Sequence, residues 1–186
     1  MTRVIAGVAG GRRLATPDGR DTRPTADRAR EGLFSTVGSL LGSLEGARVV
    51  DFFAGSGAVG LEALSRGAEH ALLVESGAKA ARVIRANIAA LGLPGAELVV
   101  DRAERVAAAP PAEPYDLIFA DPPYAVPDEA VTALLEALRD HGWAARGALV
   151  AVERASRGRT LVWPEGYTAE RERRYGDAVF HYGSYL

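Results

Sequence analysis

Short apolar stretches alternate with longer amphipathic segments through most of the chain. The short stretches are rich in β-branched and aromatic residues, which predicts buried strands, whereas apolar residues at intervals of three and four predict helices. Because the two kinds of segment alternate, the pattern predicts a parallel, doubly wound sheet. The predicted strands are residues 48–53, 71–74, 97–100, 115–120 and 148–153, and the predicted helices are 26–41, 57–66, 77–91 and 128–141.

The two ends of the chain have a different pattern. Residues 1–24 contain short apolar stretches broken by Gly10-Gly11, which is typical of a small β-hairpin. At the other end, residues 167–175 and 178–185 flank a tight turn and predict an antiparallel hairpin. The sequence therefore predicts an α/β, Rossmann-like fold. Its doubly wound sheet has seven mostly parallel strands and an antiparallel C-terminal hairpin, and an N-terminal β-hairpin arm (1–24) precedes one domain (25–186).

The segment DFFAGSGAVG at 51–60 ends the first predicted strand and begins a helix. Gly55 and Gly57 allow a positive φ and the close approach of a ligand, while the helix start presents free N–H groups. The glycine spacing, with Glu75 about 20 residues later, also matches the fingerprint of dinucleotide-binding proteins. However, the Asp51 carboxylate would repel a pyrophosphate. S-Adenosylmethionine carries an ammonium group and a ribose diol but no phosphate, and it suits this loop better than a nicotinamide dinucleotide does.

A second motif, Asp121-Pro122-Pro123-Tyr124, follows the fourth predicted strand. In an open α/β sheet this loop faces the same cleft as Asp51. Its two prolines remove two N–H donors, so the loop offers a carboxylate and backbone carbonyls as acceptors beside an aromatic ring. These groups fit a planar ring with an exocyclic amine, because Asp121 and the Pro122 carbonyl accept its hydrogens while Tyr124 stacks on the ring. The predicted chemistry is methyl transfer to that amine without a metal.

Composition and charge narrow the class of protein. The chain has no cysteine, which excludes disulfides, thiolate zinc sites and cysteine nucleophiles, and its three histidines lack metal-ligand spacing. No apolar run is long enough to span a membrane, so the expected location is the cytoplasm. The net charge of −2 divides into +3 for residues 1–31 and −5 for the remainder. The cations of the first segment are arginines, whose guanidinium groups bind phosphate and stack on bases, which favours a nucleic-acid partner.

Several segments together resemble a known family. They are RPTADRAREGLF at 23–34, DFFAGSG at 51–57, EALSRGA at 62–68, Glu75 and the motif that begins at Asp121. With these, the chain resembles the class I S-adenosylmethionine-dependent methyltransferases that carry an Asp-Pro-Pro-Tyr motif. Within that class it is similar, over nearly its whole length, to the bacterial RsmD-type methyltransferases of 16S ribosomal RNA.

The resemblance implies a specific reaction and set of partners. The methyl group would pass from S-adenosylmethionine to the exocyclic N2 amine of a guanine, at position 966 of 16S ribosomal RNA. The substrate would be the small ribosomal subunit or its assembly intermediate, and the enzyme would act as a monomer. The implied catalytic residues are Asp121, Pro122, Pro123 and Tyr124. The implied cofactor-binding residues are Asp51, Phe53, Ala54, Gly55, Gly57, Glu75, Ser76, Asp101, Arg102 and Asp121. The implied RNA-binding residues are Arg3, Arg12, Arg13, Arg20, Arg23 and Arg28.

Two alternatives remain open at the level of sequence. The Asp121 motif is shared with enzymes that methylate adenine N6 or cytosine N4 of DNA, and it would also serve a protein amine methyltransferase. A nicotinamide-binding or other ligand-binding module without methyl transfer is the second alternative, because the glycine spacing alone does not exclude it.

Overall fold

The computed structural model describes residues 2–17 and 24–186. Within these ranges, seven strands form one sheet, in the order β5 (Ala96–Val100), β4 (His70–Glu75), β3 (Arg48–Phe52), β6 (Tyr115–Ala120), β7 (Ala144–Ala155), β9 (Ala178–Tyr185) and β8 (Tyr167–Tyr175). Strands β3 to β7 are parallel, whereas β9 runs antiparallel to β7 and β8 antiparallel to β9. The predicted fold class is confirmed.

Helices cover both faces of the sheet. They are α1 (Pro24–Leu40), α2 (Ala58–Ser65), α3 (Ala78–Leu91), α4 (Ala103–Ala107) and α5 (Asp128–Asp140). One apolar core lies under α1, α2 and α3, and a second lies under α4 and α5. Because the chain leaves β3 towards β4 on one side and β6 lies on the other side, the strand order reverses between β3 and β6. A ligand crevice is expected at the carboxyl ends of these two strands.

The N-terminal arm packs onto this scaffold. Its two short strands, β1 (Thr2–Arg3) and β2 (Arg13–Leu14), pair antiparallel as the glycine-interrupted pattern predicts. Three apolar side chains of the arm, Val4, Ala9 and Leu14, are buried in the core under α1 to α3. The arm therefore shares its core with the domain that follows it.

A buried carboxylate fixes the arm to α2. Glu62 is fully buried, and its two oxygens accept hydrogen bonds from the backbone amides of Ile5 (2.7 Å) and Ala6 (3.0 Å). Its charge is balanced by Arg66, whose Nε lies 2.9 Å from a Glu62 oxygen, and by Arg30 at 3.5 Å. Removing the arm would leave this carboxylate without its backbone donors, which is costly for a buried charge.

Two elements differ from the sequence-based expectation. The short helix α4 lies between the predicted strands at 97–100 and 115–120, where no helix is predicted because a single helical turn is too short to show a periodic pattern. Strand β7 begins at Ala144, earlier than predicted, because Ala144 pairs with Tyr115 before a register irregularity. Among the described residues, no helix is both long and apolar enough to cross a membrane.

Candidate active site

An acidic residue lies within two positions of the carboxyl end of every parallel strand. In the spatial order of the strands these residues are Asp101, Glu75, Asp51, Asp121 and Glu153. Pairing of Phe52 with Ala120, and of Ala120 with Val152, brings the ends of β3, β6 and β7 side by side. The structure therefore brings the predicted residues Asp51 and Asp121 together and adds Glu153 to them.

Asp51 faces a cavity of about 280 Å³ that Asp121 and Glu153 also line. Its side chain is 1% exposed, and its Oδ1 has no hydrogen-bond partner among the described residues. Burial raises the pKa of Asp51 well above its ordinary value, the charge of Asp121 raises it further, and the Gly60 amide partly offsets both effects. A buried carboxylate without a counter-ion is costly, so this cavity favours a cationic ligand.

The loop that contains Gly55 and Gly57, called the glycine loop below, forms one wall of the same cavity. Gly55 and Gly57 have φ values of 60° and 81°, which residues other than glycine rarely adopt. A Cβ atom on Gly55 would meet only open space. Phe53 also has a positive φ of 67°. Such strain in a bulky residue is tolerated mainly at functional sites, where the surrounding structure holds it.

Two side chains hold this loop from opposite sides. The Glu75 carboxylate accepts hydrogen bonds from the amides of Gly55 and Gly77, both at 2.8 Å. The Asn87 amide group donates to the Ser56 carbonyl (2.9 Å), and it also exchanges two hydrogen bonds with the backbone of Ala15 in the arm. Glu75 retains free lone pairs for a ribose, because a carboxylate can accept about four hydrogen bonds. Asn87 links the arm directly to the loop.

Asp121 and Glu153 form a carboxyl pair. The two side chains are hydrogen-bonded to each other, and burial is the largest cause of the raised pKa of each: about 6 for Asp121 and about 8 for Glu153. For Glu153, the neighbouring Asp121 charge raises the pKa further, whereas for Asp121 the hydrogen bond and the charge of Arg154 lower it. At neutral pH the pair therefore shares one proton and carries one negative charge.

The rest of the proline motif leaves an aromatic ring at the surface. Pro122 is buried, and the Pro123 carbonyl accepts a hydrogen bond from the Val126 amide (2.9 Å), which closes the turn. The Tyr124 side chain is 50% exposed, so the face of its ring is available for stacking. Stacking on an exposed ring beside two acceptors is the arrangement that the motif predicts.

A second cavity, of about 430 Å³, lies on the other side of Phe53. It is lined mostly by apolar side chains of α5 together with Pro122, and Glu104 of α4 lies at its wall. Phe53 lines both cavities. The site can thus hold one ligand with a charged end near Asp51 and a flat apolar end beyond Phe53.

The remaining predicted cofactor residues lie at the far end of the acidic row. Ser76 is exposed after β4. Asp101 follows β5, where its Oδ1 accepts a hydrogen bond from the Arg102 amide (2.8 Å) and lies 3.7 Å from Arg105 Nε. The Arg102 guanidinium pairs with Glu104 at 3.4 Å. Glu104 connects this group to the apolar cavity.

The predicted RNA-binding arginines are dispersed. Arg3, Arg13 and Arg28 are exposed, whereas the Arg12 guanidinium donates to the Ala90 carbonyl (2.5 Å) near the end of α3. Helix α3 begins at the carboxyl end of β4, so its last turn lies away from the cleft. Arg20 and Arg23 lie outside the described residues.

Other cations, which the sequence did not single out, lie closer to the proline motif. A cavity of about 400 Å³ beside Tyr124 is lined by Arg154 and Arg159, and Arg157 is exposed in the same β7–β8 connection. Asp128 at the start of α5 pairs with the buried Arg154 at 3.1 Å. Glu153 was also not identified as a site residue from the sequence. Its position at the end of the predicted apolar strand 148–153 was the signal that could have identified it.

These features define a class I methyltransferase: a doubly wound sheet, a glycine loop after its first parallel strand, and an Asp-Pro-Pro-Tyr loop across the switch point. Comparison with known proteins gives the family. Residues 2–184 match the model of the family described as Conserved hypothetical protein 95, and the chain belongs to that family.

Named relatives agree with this assignment. The chain is 34% identical over 178 residues to Ribosomal RNA small subunit methyltransferase D of Escherichia coli strain K12, which covers 96% of this chain and 87% of that protein. The protein of the same name from Haemophilus influenzae is 31% identical, with coverage of 94% and 89%. The solved structure of yhhF from Escherichia coli superposes with a TM-score of 0.85 at 33% identity, over 99% and 97% of the two chains. The prediction of an RsmD-type, S-adenosylmethionine-dependent methyltransferase is therefore confirmed.

Proposed function

We propose that this protein transfers a methyl group to the N2 amine of a guanine in 16S ribosomal RNA of the small ribosomal subunit. The observation that carries the proposal is the cavity in which the buried Asp51 carboxylate, whose Oδ1 has no hydrogen-bond partner among the described residues, lies beside the Asp121 carboxyl group. The Asp51 carboxylate favours a cationic ligand, and the Asp121 carboxyl group can accept a hydrogen bond from an amine. These are the two ligands that a methylation of nitrogen brings together.

The residues present fit S-adenosylmethionine, which supplies an electrophilic methyl group on a sulfonium centre. Asp51 would bind the ammonium group, and the open space over Gly55 would admit the methionyl chain. Glu75 would bind the ribose with its free lone pairs. The apolar cavity beyond Phe53 suits the adenine ring, with Asp101 and Arg102 near its rim through Glu104.

The chain's own contribution to the reaction is to position the amine. Asp121 and the Pro122 carbonyl accept its two hydrogens, and Tyr124 stacks on the base. An aromatic amine is a weak nucleophile because its lone pair is delocalised, and directing both hydrogens at acceptors turns the lone pair towards the methyl group. Positioning of this kind lowers a barrier by up to about 7–11 kcal/mol.

The proton balance closes at the carboxyl pair. A carbon–nitrogen bond would form as the carbon–sulfur bond of S-adenosylmethionine breaks, S-adenosylhomocysteine would leave, and the alkylated amine would then lose a proton. Asp121 would be hydrogen-bonded to that amine, and its raised pKa, which burial causes, suits it to take up the proton and pass it on to water. No base has to remove the proton before the transfer, because the product ammonium is a strong acid.

The choice of RNA rests on the relatives and on charge. Two relatives that match almost the whole chain are named as methyltransferases of the small-subunit ribosomal RNA. The exposed arginines Arg3, Arg13 and Arg28 would contact phosphate, and Arg157 and Arg159 lie nearer to Tyr124. A guanine N2 amine in a paired helix lies in the minor groove, so the target base would have to be unpaired or flipped into the cleft.

The proposal is tested by offering tritiated-methyl S-adenosylmethionine with unmethylated small-subunit particles, duplex DNA and a protein extract. We expect label in the RNA of the particles and none above background in the other two. Label mainly in DNA or protein would favour the competing amine methyltransferases. Binding of NAD in preference to S-adenosylhomocysteine would instead indicate a nicotinamide-binding module.

A further inference from the structure

Asp121 and Glu153 occupy equivalent positions at the ends of neighbouring strands. Because Ala120 pairs with Val152 in parallel register, the residues that follow them lie side by side, about 4.8 Å apart across the sheet. Both side chains line the cavity that contains Asp51, and each carboxyl group is hydrogen-bonded to the other. The cavity therefore contains one more hydrogen-bond acceptor than the transfer to an amine requires.

We propose that Glu153 is the residue that selects guanine: its carboxyl oxygen accepts the N1–H of the base while Asp121 accepts a hydrogen of the N2 amine. This inference rests on the proposed methyl transfer to guanine N2. Glu153 is then a specificity-determining residue that contacts the base.

The chemistry of the bases explains why a second acceptor is selective. In guanine, the N1–H donor is directly adjacent to the N2 amine, so two neighbouring donors face two neighbouring acceptors. In adenine and cytosine, the ring nitrogen beside the exocyclic amine is itself an acceptor and would face the Glu153 oxygen without a hydrogen. A buried acceptor that loses its donor in this way disfavours the wrong base strongly.

The shared proton still leaves Glu153 an oxygen that can accept a hydrogen bond. A proton held between the two carboxyl groups occupies their facing oxygens and leaves the outer oxygens free. Asp51 on β3 and Arg30 on α1 face the same cavity, while Phe180 opposite Glu153 on β9 brings no charge. Tyr124 is a further titratable neighbour of the pair, Glu75 acts on Asp51, and Glu62 lies 3.5 Å from Arg30. Arg154 and His181 lie on the other face of the sheet.

The test uses 2-aminopurine, which keeps the 2-amine of guanine but has an unprotonated N1. Small-subunit RNA would be prepared with either guanine or 2-aminopurine at the nucleotide that the wild-type protein methylates. The measured quantity is the ratio of kcat/KM for the two RNAs, for the wild type, Glu153→Leu and Glu153→Gln. Gln is the matched control, because its amide N–H can donate to Asp121 while its carbonyl still accepts the N1–H.

We expect the wild type to prefer guanine by about tenfold to hundredfold, the range for one hydrogen bond to a charge-bearing group. Glu153→Leu should lose this preference, and Glu153→Gln should retain it whatever its absolute rate. The Gln variant should also lose less kcat/KM than the wild type as pH rises from 7 to about 9. In this range the wild-type pair gives up the proton that joins its two carboxyl groups, which then repel each other, whereas Gln has no such proton to lose. A purely structural role for Glu153 would leave the base preference unchanged.

Three results would overturn the inference: no guanine preference in the wild type, an undiminished preference in Glu153→Leu, or loss of the preference in Glu153→Gln. If Glu153→Leu is inactive on both RNAs, the two dissociation constants are measured on protein saturated with S-adenosylhomocysteine. Equal affinities then support the inference, and a retained preference for guanine contradicts it. Methylation of guanine N2 without discrimination refutes this inference alone, whereas failure of the wild type to methylate guanine refutes the proposed function itself.

Discussion

Replacement of Asp51 by Asn should weaken cofactor binding and stabilise the ligand-free protein at the same time. A hydrogen bond to a charged group contributes about 1.5–3 kcal/mol, and the neutral bond that Asn can still make contributes about 0.5–1.5 kcal/mol. The difference of about 1–2 kcal/mol predicts a fivefold to thirtyfold weaker affinity for S-adenosylhomocysteine, which carries the same ammonium group.

The gain in stability follows from the raised pKa of Asp51. Above its ordinary value near 3.8, the native protein keeps a proton on this buried carboxyl that the unfolded chain has lost. Native stability is therefore fully present below that value and falls as pH rises towards the native pKa, by up to about 1.4 kcal/mol per pH unit. Asn removes this dependence, so Asp51→Asn should melt higher than the wild type at pH 8, with a smaller difference at pH 5.

Calorimetric titration with S-adenosylhomocysteine and melting curves at both pH values check this prediction. Glu113→Gln is the matched control, because Glu113 is an exposed acid in the loop before β6, at the opposite end of the sheet from the cleft. It should change neither affinity nor the pH dependence of melting. Asp51 does not bind the ammonium group if Asp51→Asn leaves the affinity for S-adenosylhomocysteine unchanged. A lower melting temperature of this variant at pH 8 would show that the buried carboxyl does not destabilise the ligand-free protein.

Substitutions at three further residues test other parts of the site and the anchoring of the arm. Tyr124→Ala should lower kcat/KM for RNA by about tenfold to hundredfold, because stacking on a base contributes about 1–3 kcal/mol. Tyr124→Phe should lower kcat/KM only slightly, and equal losses in the two variants would show that the hydroxyl group is what matters. Asn87→Ala should weaken S-adenosylhomocysteine binding several-fold in a titration, because the loop loses its hydrogen bond at Ser56. A lower melting temperature with unchanged affinity would mean that Asn87 holds only the arm. Glu62→Ala should lower the free energy of unfolding by about 3–5 kcal/mol in denaturant unfolding, because Arg30 and the arm amides lose a buried partner. A decrease below about 1 kcal/mol would show that the arm is held by its apolar side chains alone.

The strand and helix pattern predicted the fold because alternating buried strands and amphipathic helices leave few alternatives. Asp51, Glu75 and Asp121 could be predicted because each lies where a predicted strand ends. Glu153 satisfied the same rule, but its role depends on the register between β6 and β7, which the sequence does not specify. The anchoring of the arm by Glu62 joins residues more than 50 positions apart, and nothing local in the pattern predicts such a contact.

The identity of the methylated nucleoside tests the central proposal most directly. Unmethylated small-subunit particles would be incubated with S-adenosylmethionine and either the wild-type protein or Asp121→Ala, and the RNA would then be digested to nucleosides and separated by mass spectrometry. We predict N2-methylguanosine with the wild type, and its absence with Asp121→Ala despite cofactor affinity within a few-fold of normal. Formation of N6-methyladenosine or N4-methylcytidine, or full N2-methylguanosine with the Asp121 variant, would contradict the proposal.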